Sequence, residues 1–235
     1  MLTKLRSELK KAANPKKAPQ MQAYMKSTML YHGVPSRVLK KVCRELFKEI
    51  NFSNSEEWQN LVRTIWHNAR FREERYAALA IAGHKAARPF QTPAAMKLYE
   101  ELIISGAWWD YVDDIAIHRV GHILAEHKKE MGKMMTGWST SPNIWKRRTS
   151  IICQIGFKDR TDLGLLYKCI EPSLSSKEFF LRKAIGWALR QVAWYQPKEI
   201  IRYVKQNRER LSPLSEREAL KNIVRPSLRA SRTRK

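Results

Sequence analysis

The sequence predicts an all-α protein, a curved solenoid of stacked helix pairs, on three observations. Glycine and proline are sparse, 9 and 10 in 235 residues, and the prolines fall mostly between apolar-periodic segments. Alternating strand patterns are almost absent. Apolar positions recur at helical spacing, and several of these segments resemble one another at a fixed interval.

The helices can be read in order. "PSRVLKKVCRELFKEI" (35–50) puts Val38, Val42, Leu46 and Ile50 on one face. "SEEWQNLVRTIW" (55–66) does the same with Trp58, Leu61, Val62, Ile65 and Trp66. Capping boxes are expected at Ser53 with Glu56, Ser175 with Glu178 and Ser215 with Glu218. About a dozen helices joined by short loops follow from this pattern. "RYAALAIAG" from Arg75, "RTSIICQIG" from Arg148 and "RKAIGWALR" from Arg182 share a register, and Asp110 takes the arginine position in a fourth. The intervals between 75, 110, 148 and 182 are 35, 38 and 34 residues, the period of stacked helix pairs. Degenerate HEAT-like repeats are therefore favoured over a bundle, as a single domain over 1–225. The last eleven residues carry five cations and no carboxylate, and 226–235 reads as a flexible basic tail.

The charge narrows the function. Against 22 acidic residues stand 45 Lys and Arg, a formal +23, and self-repulsion of that size points to a polyanionic partner. Nucleic acid comes first and an anionic membrane surface second, the latter disfavoured because no cationic amphipathic anchor with an aromatic edge is present. Cys43, Cys153 and Cys169 form no C-x-x-C pair, which fits a reducing cytosol. The charged N-terminus lacks the apolar core of a signal peptide, and no run of about 18 apolar residues occurs. The expected location is cytoplasmic, nucleoid-associated through DNA binding.

No Gly-rich phosphate loop and no G-x-S-x-G elbow occurs, so neither nucleotide-binding nor α/β-hydrolase chemistry is supported. "HRVGH" places His118 and His122 at i, i+4, but Arg119 stands where a metalloprotease needs glutamate, and no metal site is expected. The segment that suggests chemistry is "WWDYVDD" (108–114). Trp109 and Asp113 are i, i+4 and share a helix face; Asp110 lies one turn before Asp113, and Asp114 points toward another face. DNA phosphates repel an aspartate, but a cation developing during reaction would attract it. Cleavage of an N-glycosidic bond builds such a cation on the sugar. The plainer reading is tryptophan as core and aspartate as helix-start partner.

The residues also resemble a known family, the AlkD-type DNA alkylation-repair glycosylases, HEAT-like proteins that excise alkylated purines. The resemblance spans roughly residues 1 to 225. It rests on the order and spacing of "QAYMKS", "HGVPSRVLKK", "ELIISGAWWDYVDDIA", "SPNIWKRRTSI", "SSKEFFLRKAIGWALRQ" and "LSPLSEREALKNI". It implies catalytic roles for Asp113, Trp109 and Trp187, and a cleft arginine at Arg148. It implies a reaction without base flipping: the indoles cradle the lesion's deoxyribose, while the carboxylate stabilises the sugar cation and positions water. No cofactor is implied. The partner is double-stranded DNA containing alkylated purines, and the protein is expected to be a monomer. The sequence departs from the pattern at Arg37, where many relatives have proline, and at Lys40, where arginine is common. The doubled carboxylate Asp113–Asp114 is not a family requirement.

Expected DNA contacts are Arg148, Tyr24, Lys40, Lys158, Arg160 and Arg190. Arg148 also has a structural reading, since Arg75 and Arg182 occupy related repeat positions. Trp108 reads as packing, and Trp58, Trp66, Trp138, Trp145 and Trp194 as core. The rival function is a non-catalytic HEAT-repeat scaffold that grips DNA or protein.

Overall fold

The computed structural model describes the backbone of residues 1–230 and the side chains of residues 1–223. Fourteen α-helices and no strand occur among them: α1 (Leu2–Lys11), α2 (Ala18–Met25), α3 (Ser36–Leu46), α4 (Ser55–His67), α5 (Arg72–Ala82), α6 (Met96–Gly106), α7 (Trp109–Ile115), α8 (Gly121–Glu126), α9 (Lys128–Ser139), α10 (Ile144–Ile152), α11 (Leu163–Ile170), α12 (Phe179–Ala193), α13 (Pro197–Gln206) and α14 (Pro213–Ala230). The all-helical class matches the sequence, while several connections, 26–35, 83–95 and 153–162 among them, are longer than the short loops expected. Helix α14 carries the backbone as far as Ala230, into the segment read as tail, and residues 231–235 lie outside the described residues. The chain packs as two compact units, Met1–Gln91 and Thr92–Lys235.

In the first unit α4 packs on α5, and α1 and α3 pack on each other and on α5. Leu5, Leu9, Trp58, Val62, Ile65, Trp66, Ala77 and Ile81 are completely buried there. The "HGVP" loop leads into α3, and one buried carboxylate pins it. Glu73 accepts the backbone N–H groups of His32, Gly33 and Val34 at 3.1, 2.9 and 3.1 Å. The loop needs glycine at position 33: φ is +78°, and a Cβ would stand 2.1 Å from the Asn14 carbonyl oxygen. The neighbouring Glu74 pairs with Arg6 at 3.2 Å, closing α1 onto α5.

In the second unit the helices pack in chain order, α6 on α7, α7 on α10, α9 on α10 and α11, α10 on α12, and α12 on α13 and α14. Each helix thus meets its near neighbours in the chain, as stacked repeats require. Leu181, Ile185 and Leu189 of α12 join Ile151, Ile152, Leu166, Ile170 and Ile200 in one buried cluster. Asp110, Arg148 and Arg182, aligned in the sequence, fall on three different helices, α7, α10 and α12.

The caps differ from expectation by one to three residues. At α4 the capping residue is Asn54, whose side chain accepts from Glu57 N–H while the Glu57 carboxylate accepts from Ser53 N–H. At α12, Ser176 rather than Ser175 accepts the N–H of Glu178. At α14, Ser212 Oγ accepts the N–H of Ser215, which instead donates its own hydroxyl to the Arg182 carbonyl. A run of serines offers several equivalent caps, and tertiary contacts choose among them.

Candidate active site and basic surfaces

Asp113 sits in the last turn of α7, and Trp109 opens that helix one turn earlier. A π-helical turn, Ala116–Val120, follows directly and leads into α8. The Asp113 carboxylate is met from α10 by Arg148, with Nε donating to Oδ1 at 2.7 Å and Nη2 to Oδ2 at 2.8 Å. Arg148 also donates from Nη1 to the carbonyl of Phe180 at 2.6 Å. One guanidinium therefore ties α7 and α12 to α10. The side chains are 6% and 14% exposed for Arg148 and Asp113, so both are mostly withdrawn from solvent.

Burial raises the Asp113 carboxyl above the usual aspartate range, with the nearby Asp110 charge adding to it, although the Arg148 hydrogen bonds and charge pull the other way.

Trp109 and Trp187 are both half-buried, on α7 and α12, each of which packs on α10. Trp187 lies two turns beyond Phe180 along α12 and packs against the buried cluster. Trp108 belongs to a separate aromatic cluster, as expected from packing: its ring centroid is 5.5 Å from Phe180 and 6.2 Å from Trp145, and Trp145 is 4.9 Å from Phe180. Sequence reasoning missed Phe180, which both closes this cluster and offers its carbonyl to Arg148. The "FF" within a family stretch was the available signal.

The expected DNA contacts divide. Lys158 and Arg160 are exposed in the turn Ile155–Arg160, where Lys158 holds φ +60°, rare for a residue with a side chain. Lys40 is exposed on α3 and lines an open groove with Ser36, Arg37, Val38, Lys41 and Arg44. Its four cations stand at i, i+3, i+4 and i+7, one face of the helix. Tyr24 is 77% exposed, which removes its alternative reading as core. Arg148 is buried, and its guanidinium is committed to Asp113 and Phe180, so it supports the carboxylate rather than offering itself to a phosphate. Arg190 shares the Glu218 carboxylate of α14 with Lys183, at 2.5 and 3.2 Å, and is likewise engaged within the protein.

Trp194 corrects the sequence reading: it is 63% exposed at the end of α12, not core. Trp58, Trp66, Trp138 and Trp145 are buried. Asp114, for which the sequence offered no role, faces Arg119 at 3.7 Å. His122 faces Glu126 at 3.6 Å, and no group of three or more His, Cys, Asp or Glu able to hold a metal occurs among the described residues. Cys43, Cys153 and Cys169 are buried free thiols, with burial pushing Cys43 and Cys169 up to about 12. No helix of the described residues is long and apolar enough to cross a membrane.

The comparisons with known proteins give the family. Residues 5–223 match the model of the DNA alkylation repair enzyme family, nearly the whole chain, and the protein belongs to that family. Among solved structures, a predicted DNA alkylation repair enzyme from Enterococcus faecalis is similar at 29% identity and a TM-score of 0.80, over 89% of this chain and 95% of the other. No curated protein matches.

Proposed function

We propose that this member of the family is a monofunctional DNA glycosylase that hydrolyses the N-glycosidic bond of positively charged N3- and N7-alkylated purines in duplex DNA, the first step of base excision repair. The observation that carries the reading is the Asp113 carboxylate: gripped through both oxygens by Arg148, with 14% of its side chain exposed, one turn from Trp109. A cationic purine leaves with the electron pair of the C1′–N bond and becomes neutral. The deoxyribose is left as an oxocarbenium-like cation. Asp113 stabilises that cation more than the neutral ground-state sugar, and so accelerates the step. Water adds to C1′, and its proton passes to the carboxylate or to solvent.

The half-exposed indole of Trp109, with that of Trp187, supplies an electron-rich face for the sugar or the cationic base. Because the leaving group carries its own activation, the reading calls for no cofactor, no metal and no base-enclosing pocket. The base is excised without flipping. A monomer acting on nucleoid DNA in the cytoplasm fits this reading, with the exposed residues Lys40, Lys158, Arg160 and Tyr24 as backbone contacts. The test is release of 7-methylguanine from duplex DNA. Wild type releases the base, and Asp113→Asn slows release on the order of 10- to 10³-fold, the loss expected for one preorganised charge. Equal rates for the two would remove the assignment.

The alternative, a non-catalytic scaffold, needs no carboxylate in a basic surface. Binding of undamaged duplex with no base release from any alkylated substrate would favour it.

A further inference from the structure

The helix that carries Asp113 is not a plain α-helix. Between α7 and α8 the backbone widens into the π-helical turn Ala116–Val120. One extra residue per turn brings side chains five apart into line, and Asp114 and Arg119 are five apart. Their nearest approach is Asp114 Oδ2 to Arg119 Nη2 at 3.7 Å. Asp114 Oδ2 and Arg119 Nε are buried atoms with no hydrogen-bond partner, and although the Asp114 side chain is 37% exposed overall, its inner oxygen faces the Arg119 guanidinium. The turn is also held from outside. Gly121 follows it, where a Cβ would stand 2.4 Å from the Cys153 carbonyl oxygen at the end of α10. The widened turn therefore rests directly against the helix that carries Arg148, and the turn itself packs on α10.

We propose that Asp114 and Arg119 form a positioning pair that fixes the π-helical turn and so holds Asp113 in register with Arg148. The arginine of α10 can grip both carboxylate oxygens only if α7 ends at the right height and rotation. A relaxed turn would slide Asp113 relative to the guanidinium and trade two hydrogen bonds of 2.7 and 2.8 Å for one or none. Asp114 is thus assigned a task that its neighbour depends on, without touching substrate. The inference deepens the glycosylase reading but does not depend on it, because the grip on Asp113 can be measured without DNA.

The charged groups bearing on Asp113 are Asp110 on its own helix and Arg148 from α10. Titration of the Asp113 carboxyl carbon by NMR in wild type, Asp114→Asn and Arg119→Met separates positioning from simple charge. Deleting the negative Asp114 acts through space to lower the Asp113 pKa, and deleting the positive Arg119 acts to raise it. Loss of register weakens Arg148's grip in both variants, so the proposal expects both to move upward, by about half a unit or more. Opposite signs, or no shift in either, would overturn it. The double variant should shift no further than the larger single one. In the base-release assay, under single-turnover conditions, both variants should lose about tenfold in rate with unchanged DNA affinity. If no base is released by wild type, the glycosylase reading fails while the carboxyl titration still decides the pair.

Discussion

Arg148 reaches from α10 to hold both oxygens of Asp113, 35 residues earlier in the chain and one repeat back, at 2.7 and 2.8 Å. The arginine that marks the repeat in the sequence is therefore the residue that sets the carboxylate. The same guanidinium holds the α7 carboxylate and, through its third nitrogen, ties in α12 at the Phe180 carbonyl.

That arrangement makes Arg148 indispensable to the fold as well as to the site. Arg148→Met leaves a mostly buried carboxylate without its partner, and removing one member of such a pair costs about 3 kcal/mol. Urea denaturation should show that loss, with the midpoint falling and the slope unchanged. Arg148→Lys keeps the charge but cannot make two parallel bonds, so it should recover only part of the stability and little of the base-release rate. A Lys variant as stable and active as wild type would show that the fork geometry is not used.

Acid should switch the site off earlier than an ordinary aspartate would. Burial raises the Asp113 pKa above the usual value of 3.8, more than Arg148 lowers it. In the proposed reaction base release uses the ionised form, so the rate should fall as pH drops through a midpoint above 3.8, and Asp113→Asn should lack that limb. Stability runs the other way for this group. Its folded pKa lies above its unfolded one, so its contribution is fully present below the unfolded value and is lost as pH rises through the folded value. A pH series of denaturation curves, wild type against Asp113→Asn, reads the difference: the variant should gain relative to wild type as pH rises through that window.

The loop before α3 gives a prediction in the first unit. Glu73 receives three backbone N–H groups, and Glu73→Gln keeps the shape but replaces a charged acceptor by a single carbonyl and a donor that faces N–H groups. The loss should be about 1–3 kcal/mol, the cost of leaving buried donors unpaired. Gly33→Ala should cost at least as much, because a methyl at φ +78° meets the Asn14 carbonyl. Thermal melts of the two variants check this, and a neutral Gly33→Ala would show that the loop can move.

These outcomes mark where the sequence was readable. Helix content and the packing of Trp108 could be seen because helical periodicity is local. Trp194 was misread because an aromatic at the end of an amphipathic run has the same spacing whether its last turn is covered or not. The caps slipped because several serines compete. The pairing of Asp113 with Arg148 joins two helices, and spacing within either is blind to it. The resemblance placed both residues in a cleft, yet not in contact. The π-helical turn has no compositional signature in "IAIHRVGH", which leaves Asp114 unexplained until Arg119 is seen across it.

Cations that look alike in sequence should separate in a salt titration. Lys40 is exposed beside Arg37, Lys41 and Arg44, whereas Arg190 shares Glu218 with Lys183. Lys40→Gln removes one phosphate contact and should lower the slope of log affinity against log salt by about one. Arg190→Gln should leave that slope unchanged and instead weaken the fold. Burial alone would raise the Glu218 carboxyl, but Lys183, Arg190 and Lys221 together bring it below the usual range. Its stabilisation is present above the unfolded pKa and lost as pH falls through the folded one, so Arg190→Gln should cost most near neutrality and little in strong acid. Filter binding of a duplex across a salt series, with melts at two pH values, distinguishes the two arginine fates. A reduced slope for Arg190→Gln would mean that DNA draws Arg190 away from Glu218.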